Sequence, residues 1–312
     1  MSRIAIAGSF IRDRIIPLNG SEFECIGGLY HSVAFAALLA GENSTIYPIA
    51  CVGKDFWREL TGSLSVFPAI RLDALIPDPQ ENTQVLLTYL SKTERDEVTT
   101  KTMRPILFDE LETGIESDAL LVNLISGDDL ELHALKKFRQ CSSAMVYLDL
   151  HSRMLGIDKN GKRFLRELSD WQDWFAQADF IQLNETEAGL LMGESEPSNL
   201  DYQQFIKRIL EETNVRGINI TLGERGVLAG MRFDDEKSQI KHFGPTVDKS
   251  SVQDVIGCGD AFGAAFVVSF LQSPVFFDAV AFANKIAGLN ATTMGSITKE
   301  KFNRMAENNA IA

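Results

Sequence analysis

The densest chemistry lies at Gly257-Cys258-Gly259-Asp260, which is followed by the apolar, small-residue run Ala261, Phe262, Gly263, Ala264, Ala265, Phe266 and Val267. A glycine turn before such a run predicts a buried helix over 259–272. The first-turn amides of a helix lack partners within it and sit at its positive end, so they make a site for an anion. Glycine lets the backbone approach a phosphate closely. A carboxylate in that place repels a phosphate, unless its task is to take the proton from a hydroxyl that attacks it. The chemistry is then phosphoryl transfer, with Asp260 as general base and the amides of Gly257, Cys258 and Gly259 as the anion hole. The same residues also spell an N-capped core helix whose small side chains allow close packing. Taken alone they leave both readings open.

Other motifs are equally two-sided. Asn184 and Glu187, three apart at the start of a predicted helix, share one face and spell a capping box. Thr221 and Gly223 stand at the C-terminal end of a predicted strand, where open α/β sheets bind ligands, or where any strand simply turns. Gly156 to Arg163 nearly spells a P-loop, but Arg163 stands where Ser or Thr must reach magnesium, so a turn before a helix is expected. Gly257, Gly259 and Gly263 miss the dinucleotide-binding spacing by one residue and fall outside a first βαβ unit.

The elements that must position these residues follow from periodicity. Strands are expected at 3–8, 44–52, 119–125, 144–150, 179–183 and 217–222. Helices are expected at 29–40, 55–64, 130–140, 162–176, 185–192, 202–213, 259–272, 275–293 and 298–307. This alternation predicts a mostly parallel sheet with helices on both faces. Segments 83–91 and 97–103, joined by the polar Lys92 to Asp96, read as a hairpin, as do 227–231 and 239–243. The first hairpin does not fit the alternation and suggests a small separate sheet over one end.

Composition narrows the function. The 312 residues carry a formal charge of −13, which argues against nonspecific nucleic-acid or anionic-membrane binding. Hydrophobic residues make up 45%, enough for a sizeable core. The four cysteines, at 25, 51, 141 and 258, form no C-x-x-C pair, and the four histidines are isolated. The longest apolar runs fall short of the roughly 20 residues a bilayer span needs, and the N-terminal run is too short for a signal peptide. A cytoplasmic location is the expectation.

The motifs taken together resemble those of the ribokinase-like carbohydrate kinases, the PfkB family. Asp254-Val255-Ile256-Gly257-Cys258-Gly259-Asp260 resembles its second signature. Gly27-Gly28 before a helix, with Ala50 to Asp55, resembles its first. Gly8-Ser9 followed by Asp13, Asn184 to Glu187, Thr221 to Gly226, and Phe282-Ala283-Asn284 match further family motifs in the family's order.

The resemblance implies one ribokinase-like domain over 1–312: a three-layer α/β/α sandwich with a small β lid formed by about 12–26 and 83–104. It implies ATP and Mg2+ as cofactors, a sugar or nucleoside as substrate, and a homodimer through the lid. Asp260 would be the base, acting on a hydroxymethyl group. Asn184, Glu187, Thr221, Gly223, Gly226 and Asn284 would bind the nucleotide, with Glu187 reaching magnesium through water. Asp13, Gly27, Gly28 and Ser32 would bind the acceptor, and Asp254 would serve a monovalent cation. Ser32 stands where the family often has Asn, and Val255-Ile256 where hydroxyl residues are common. Tyr30 and His31 face either the sugar or the core. Asp149 to Arg153 follows a strand toward the ligand edge, with Arg153 a candidate contact. A nucleoside kinase of the same fold, or a non-catalytic ligand-binding regulator, would carry much of the same pattern.

Overall fold

The computed structural model describes residues 2–41, 44–91, 95–233 and 237–309. The chain begins with β1 (Arg3–Ala7), β2 (Phe10–Ile16), β3 (Phe23–Gly28), α1 (Leu29–Ala40), β4 (Thr45–Gly53) and α2 (Lys54–Leu64). Then come β5 (Leu75–Asp78), β6 (Gln84–Tyr89), β7 (Arg95–Thr99) and the short α3 (Phe108–Leu111). Alternation resumes with β8 (Ala119–Asn123), α4 (Leu132–Cys141) and β9 (Met145–Asp149). After β10 (Leu155–Ile157), β11 (Arg163–Leu165) and α5 (Trp171–Phe175) follow β12 (Phe180–Asn184), α6 (Glu185–Met192), α7 (Asn199–Glu212) and β13 (Gly217–Thr221). The remainder is β14 (Val227–Arg232), β15 (Ser238–Phe243), α8 (Cys258–Gln272), α9 (Phe276–Ala291) and α10 (Lys299–Asn309).

Nine strands form one sheet in the order β15-β14-β13-β12-β9-β8-β1-β4-β5. Every pairing from β13 to β5 is parallel, and only β14 is reversed, antiparallel to both β13 and β15. The inner strands are apolar on both sides because each serves two cores. Ile4, Ile6, Leu121 and Phe180 pack with α1, α2, α8 and α9. Their neighbours Ala5, Ala7, Leu120 and Ile181 pack with α4, α6 and α7 on the opposite face. That period of two yields three layers. Helix α8 is apolar all round because it is almost wholly buried, with Phe266 against both Tyr147 and Phe180.

A second sheet has the order β3-β2-β6-β7. Its own apolar cluster joins Ile11, Ile15, Val85 and Leu87 to Ile125, just past β8, and to Ile256, just before α8. This sheet therefore lies against the C-terminal ends of the main strands. The β6–β7 pair is antiparallel as expected, although β7 ends at Thr99; the Lys92–Glu94 part of the expected connection lies outside the described residues.

The helix expected over 162–176 is not formed. Arg163–Leu165 pairs with Leu155–Ile157 in an antiparallel hairpin, and only Trp171–Phe175 is helical. The cause is the turn between them. Asp158 Oδ1 accepts the amides of Asn160 (2.8 Å) and Lys162 (2.9 Å), and Gly161 adopts φ +82°. The near-match to a P-loop is thus a hairpin turn whose amides are held by its own carboxylate.

Candidate active site

The ends of β9, β12 and β13, the start of α8 and the second sheet enclose a cavity of about 240 Å³. Asp13 and Gly28 reach its wall from the second sheet and the start of α1. Asp149, Gln182, Asn184 and Thr221 come from strand ends, and Glu187 from α6. Gly257, Gly259 and Asp260 come from α8.

Asp260 lies in the first turn of α8, 8% exposed. Its Oδ1 accepts Asn123 Nδ2 (2.6 Å) and Ser32 Oγ (3.3 Å). Asn123 Nδ2 also donates to Ser32 Oγ (3.2 Å). Among the described residues both donors use Oδ1, which leaves Oδ2 as the oxygen available to take a proton. Gly257 caps the helix at φ +74°, and a Cβ there would collide with the His31 ring, so the turn requires glycine for conformation and for space. The Cys258 amide closes the turn onto Val255 O (3.3 Å), and of the three turn residues it is Gly257 and Gly259 that line the cavity wall. Cys258 Sγ faces Asn290 Nδ2 (3.4 Å) and is off the wall.

Two further carboxylates share the cavity. Asp149 and Glu187 are 5% and 6% exposed. Asp149 accepts the His151 amide (3.0 Å) and Gln182 Nε2 (2.8 Å). Burial, with repulsion from Asp260, raises its pKa to about 6. Asn184 and Glu187 form the full capping box of α6. The Glu187 amide donates to Asn184 Oδ1 (2.9 Å), while Asn184 N–H (2.9 Å) and Nδ2 (2.6 Å) donate to the Glu187 carboxylate. Burial, with repulsion from Asp149, raises Glu187 well above the usual range. Capping and cavity lining are thus the same side chains: the cap holds Glu187 at the wall.

Most of the remaining expected residues stand one layer back. Ser32 is fully buried against Asp260 and not on the wall. Gly27 lets the Asp13 carboxylate lie against the backbone, since a Cβ there would collide with it. Gly223 and Gly226 bracket a short turn after β13. Asn284 donates to Gly244 O (2.8 Å) and its carbonyl accepts Thr246 Oγ1 (3.2 Å), which ties the segment after β15 to α9. Arg153 turns away from the cavity to Asp128 and the face of Trp174. Tyr30 is in the core, whereas His31 lines the cavity. Burial lowers the His31 pKa, partly offset by Asp260, and neither ring nitrogen has a hydrogen-bond partner among the described residues.

Three contributors carry no motif. Asn123 and Gln182 sit within strand patterns, and Tyr147 is a core aromatic. Gln182 Nε2 bridges Asp149 and Gly259 O (3.0 Å), and its Oε1 accepts Tyr147 Oη (2.8 Å). This chain of bonds sets the acids against the first turn of α8. The only sequence signal was a polar residue inside an apolar strand, which a buried sheet tolerates only when it is paired.

The donor sets discriminate between the expected cations. Asp149 and Glu187 are buried without a Lys or Arg partner among the described residues, so a divalent ion fits beside them. No three His, Cys, Asp or Glu among the described residues converge into a cage. Magnesium here would keep water and phosphate oxygens as ligands, as it prefers. A monovalent cation at Asp254 does not fit: both carboxylate oxygens already accept donors, from Tyr89 Oη (2.8 Å), Ile256 N–H (3.0 Å) and Gly295 N–H (3.1 Å).

Comparison with solved structures places the fold. A pyrophosphate-dependent kinase in the ribokinase family, solved as a sulfate complex, superposes with a TM-score of 0.77 at 17% identity, covering 96% of this chain and 99% of that one. Ribokinase from Arabidopsis thaliana, solved with ribose and ATP, gives 0.75 at 17% identity, over 97% and 98%. Adenosine kinase from Sinorhizobium meliloti gives 0.76 at 14% identity, over 98% of both chains. The fold is therefore ribokinase-like. The sequence model described as "pfkB family carbohydrate kinase" matches residues 24–302, so the chain belongs to the pfkB family of carbohydrate kinases, phosphotransferases that act on an alcohol group.

Proposed function

We propose that the chain transfers the γ-phosphoryl group of ATP, with magnesium, to a hydroxymethyl group of a sugar or sugar-like molecule. The observation that carries this reading is the placement of Asp260. It stands beside the amides of Gly257 and Gly259, in one cavity with Asp13. An acceptor held between Asp13 and Asp260 would present its hydroxyl to the free Oδ2. Asp260 takes the proton as the oxygen attacks phosphorus, and the α8 amides hold the phosphoryl oxygens as charge shifts among them. Asn123 and Ser32 fix the rotamer of the base. The buried His31 ring backs Gly257 and holds the α8 turn against the cavity. Magnesium, when bound, neutralises phosphate charge; Glu187 would hold it through water, with Asp149 beside it. The β2–β3 and β6–β7 strands form a lid that excludes water as a competing acceptor. Thr221 and Gly223 bind the donor's phosphates, and the Asn284 contact shapes the wall for its base.

The test is a 31P NMR assay with ATP or pyrophosphate as donor and ribose, fructose, a cyclic polyol or adenosine as acceptor. Transfer from ATP to a sugar or polyol is expected. Transfer to adenosine alone would make the chain a nucleoside kinase, and transfer only from pyrophosphate would refute the ATP assignment. Donor binding without transfer to any acceptor would overturn the whole reading.

A further inference from the structure

The turn into α8 is neutralised from within. Beyond the three donors on Asp254, its neighbouring carbonyls are occupied. Ile256 O accepts Asn290 Nδ2 (2.8 Å), and Ala291 O accepts the amides of Gln253 (2.8 Å) and Asp254 (3.2 Å). Lys301, in the first turn of α10, donates from Nζ to Met294 O (2.7 Å) and Ser296 O (2.8 Å). These carbonyls flank Gly295, whose amide holds Asp254. Ser296 Oγ also reaches Ile26 O (2.6 Å), which ties the same loop to β3. Burial works against the ammonium, while Asp254 is among the groups that favour it. A carbonyl keeps a second lone pair, but another cation bound there would stand against the ammonium and be repelled.

We infer that Lys301 is the resident cation of the loop that supports the α8 turn, and that it replaces a bound monovalent cation. The amides of Gly257 and Gly259 then hold their geometry whichever salt is present. This inference rests on the kinase reading for its turnover measurements only.

The experiment compares the full chain in tetramethylammonium chloride and in potassium chloride at equal ionic strength. Melting midpoints are expected to coincide to within about 1 °C, and turnover to agree within about twofold. Activation by potassium of about tenfold or more, or a midpoint raised by several degrees, would overturn the inference. Lys301→Met keeps the apolar stem and removes the charge. In tetramethylammonium it is expected to melt lower and to turn over about tenfold more slowly, with potassium recovering part of both losses. A Lys301→Met chain that matches the parent in tetramethylammonium on both measures also overturns it. Should that variant fail to fold, Lys301→Arg keeps the charge and is expected to remain indifferent to potassium; a potassium requirement in it counts against the inference. The melting measurements need no turnover, so a failed acceptor panel leaves them decisive.

Discussion

Two buried acidic regions flank Asp260, and they differ in how their charge is met. On the α8 approach, Asp254 receives a phenol and two amides, with the Lys301 ammonium on the adjoining carbonyls. On the strand side, Asp149 of β9 and Glu187 of α6 accept hydrogen bonds only from neutral donors among the described residues, and burial raises both, with His151 opposing the rise at Asp149. Burial alone therefore does not separate a structural acid from one kept for a ligand. The separating feature is whether the protein supplies the positive charge. Where it does, the acid holds a turn in place. Where it does not, the site gains from an incoming cation.

The largest expected effect tests the residue between the two regions. Asp260→Asn should fold, bind the donor and lose about 10³-fold or more in kcat, measured by coupled turnover with parallel calorimetry. A near-normal kcat would remove the base assignment. The next effect concerns the uncompensated side. Asp149 keeps a proton in the folded chain over the window from the ordinary 3.8 to about 6, where the unfolded chain has lost it. Its contribution to stability is therefore largest at low pH and falls as pH rises through that window. The loss is worth about 3 kcal/mol by pH 7, at about 1.4 kcal/mol per tenfold. Stability profiles of the chain and of Asp149→Asn between pH 4 and 7, without divalent ions, should diverge by about that amount across the window, the parent falling more steeply. Parallel profiles would break the contrast. Glu187→Gln should weaken magnesium activation by about tenfold, with little change in sugar KM. An unchanged magnesium midpoint would take Glu187 out of the cation's surroundings. The smallest effect belongs to the compensated side. Tyr89→Phe removes one of the three donors on Asp254 and should cost about 1 kcal/mol in urea unfolding. Since Tyr89 lies on β6, a kcat loss larger than that stability change would show that the second sheet controls the turn as well as covering it.

Parts of this site were legible in the sequence because local rules and function coincide there. Gly257 reads as a turn, Asn184 and Glu187 as a cap, and the run after Asp260 as a buried helix, and each also stands at the site. Legibility failed where tertiary pairing decided the outcome. Asn123 and Gln182 acquire roles only once neighbouring strands are in register. Segment 162–176 has a helical composition, but Asp158 captures the Lys162 amide and a three-residue ladder wins. The layer order of the fold was readable because α/β alternation is coarse. The second strand of the β6–β7 hairpin ends earlier than expected because, past Thr99, only the Thr100 amide still reaches β6, at Gln84 O, and the Met103 amide turns to the Thr83 hydroxyl.

The hydrogen bonds of Asp260 also set a schedule for synthesis. They reach Ser32 and Asn123, 228 and 137 positions earlier in the chain. A nascent chain that has emerged only as far as Gly257 already contains every strand of the main sheet, yet Tyr147 and Phe180 still lack Phe266. One apolar face then waits for α8, and that face is what a ribosome-associated chaperone would meet. When α8 docks it closes this core and completes the Asp260 turn in the same event, so under the proposed mechanism the half-made protein has no opportunity to spend a phosphoryl donor.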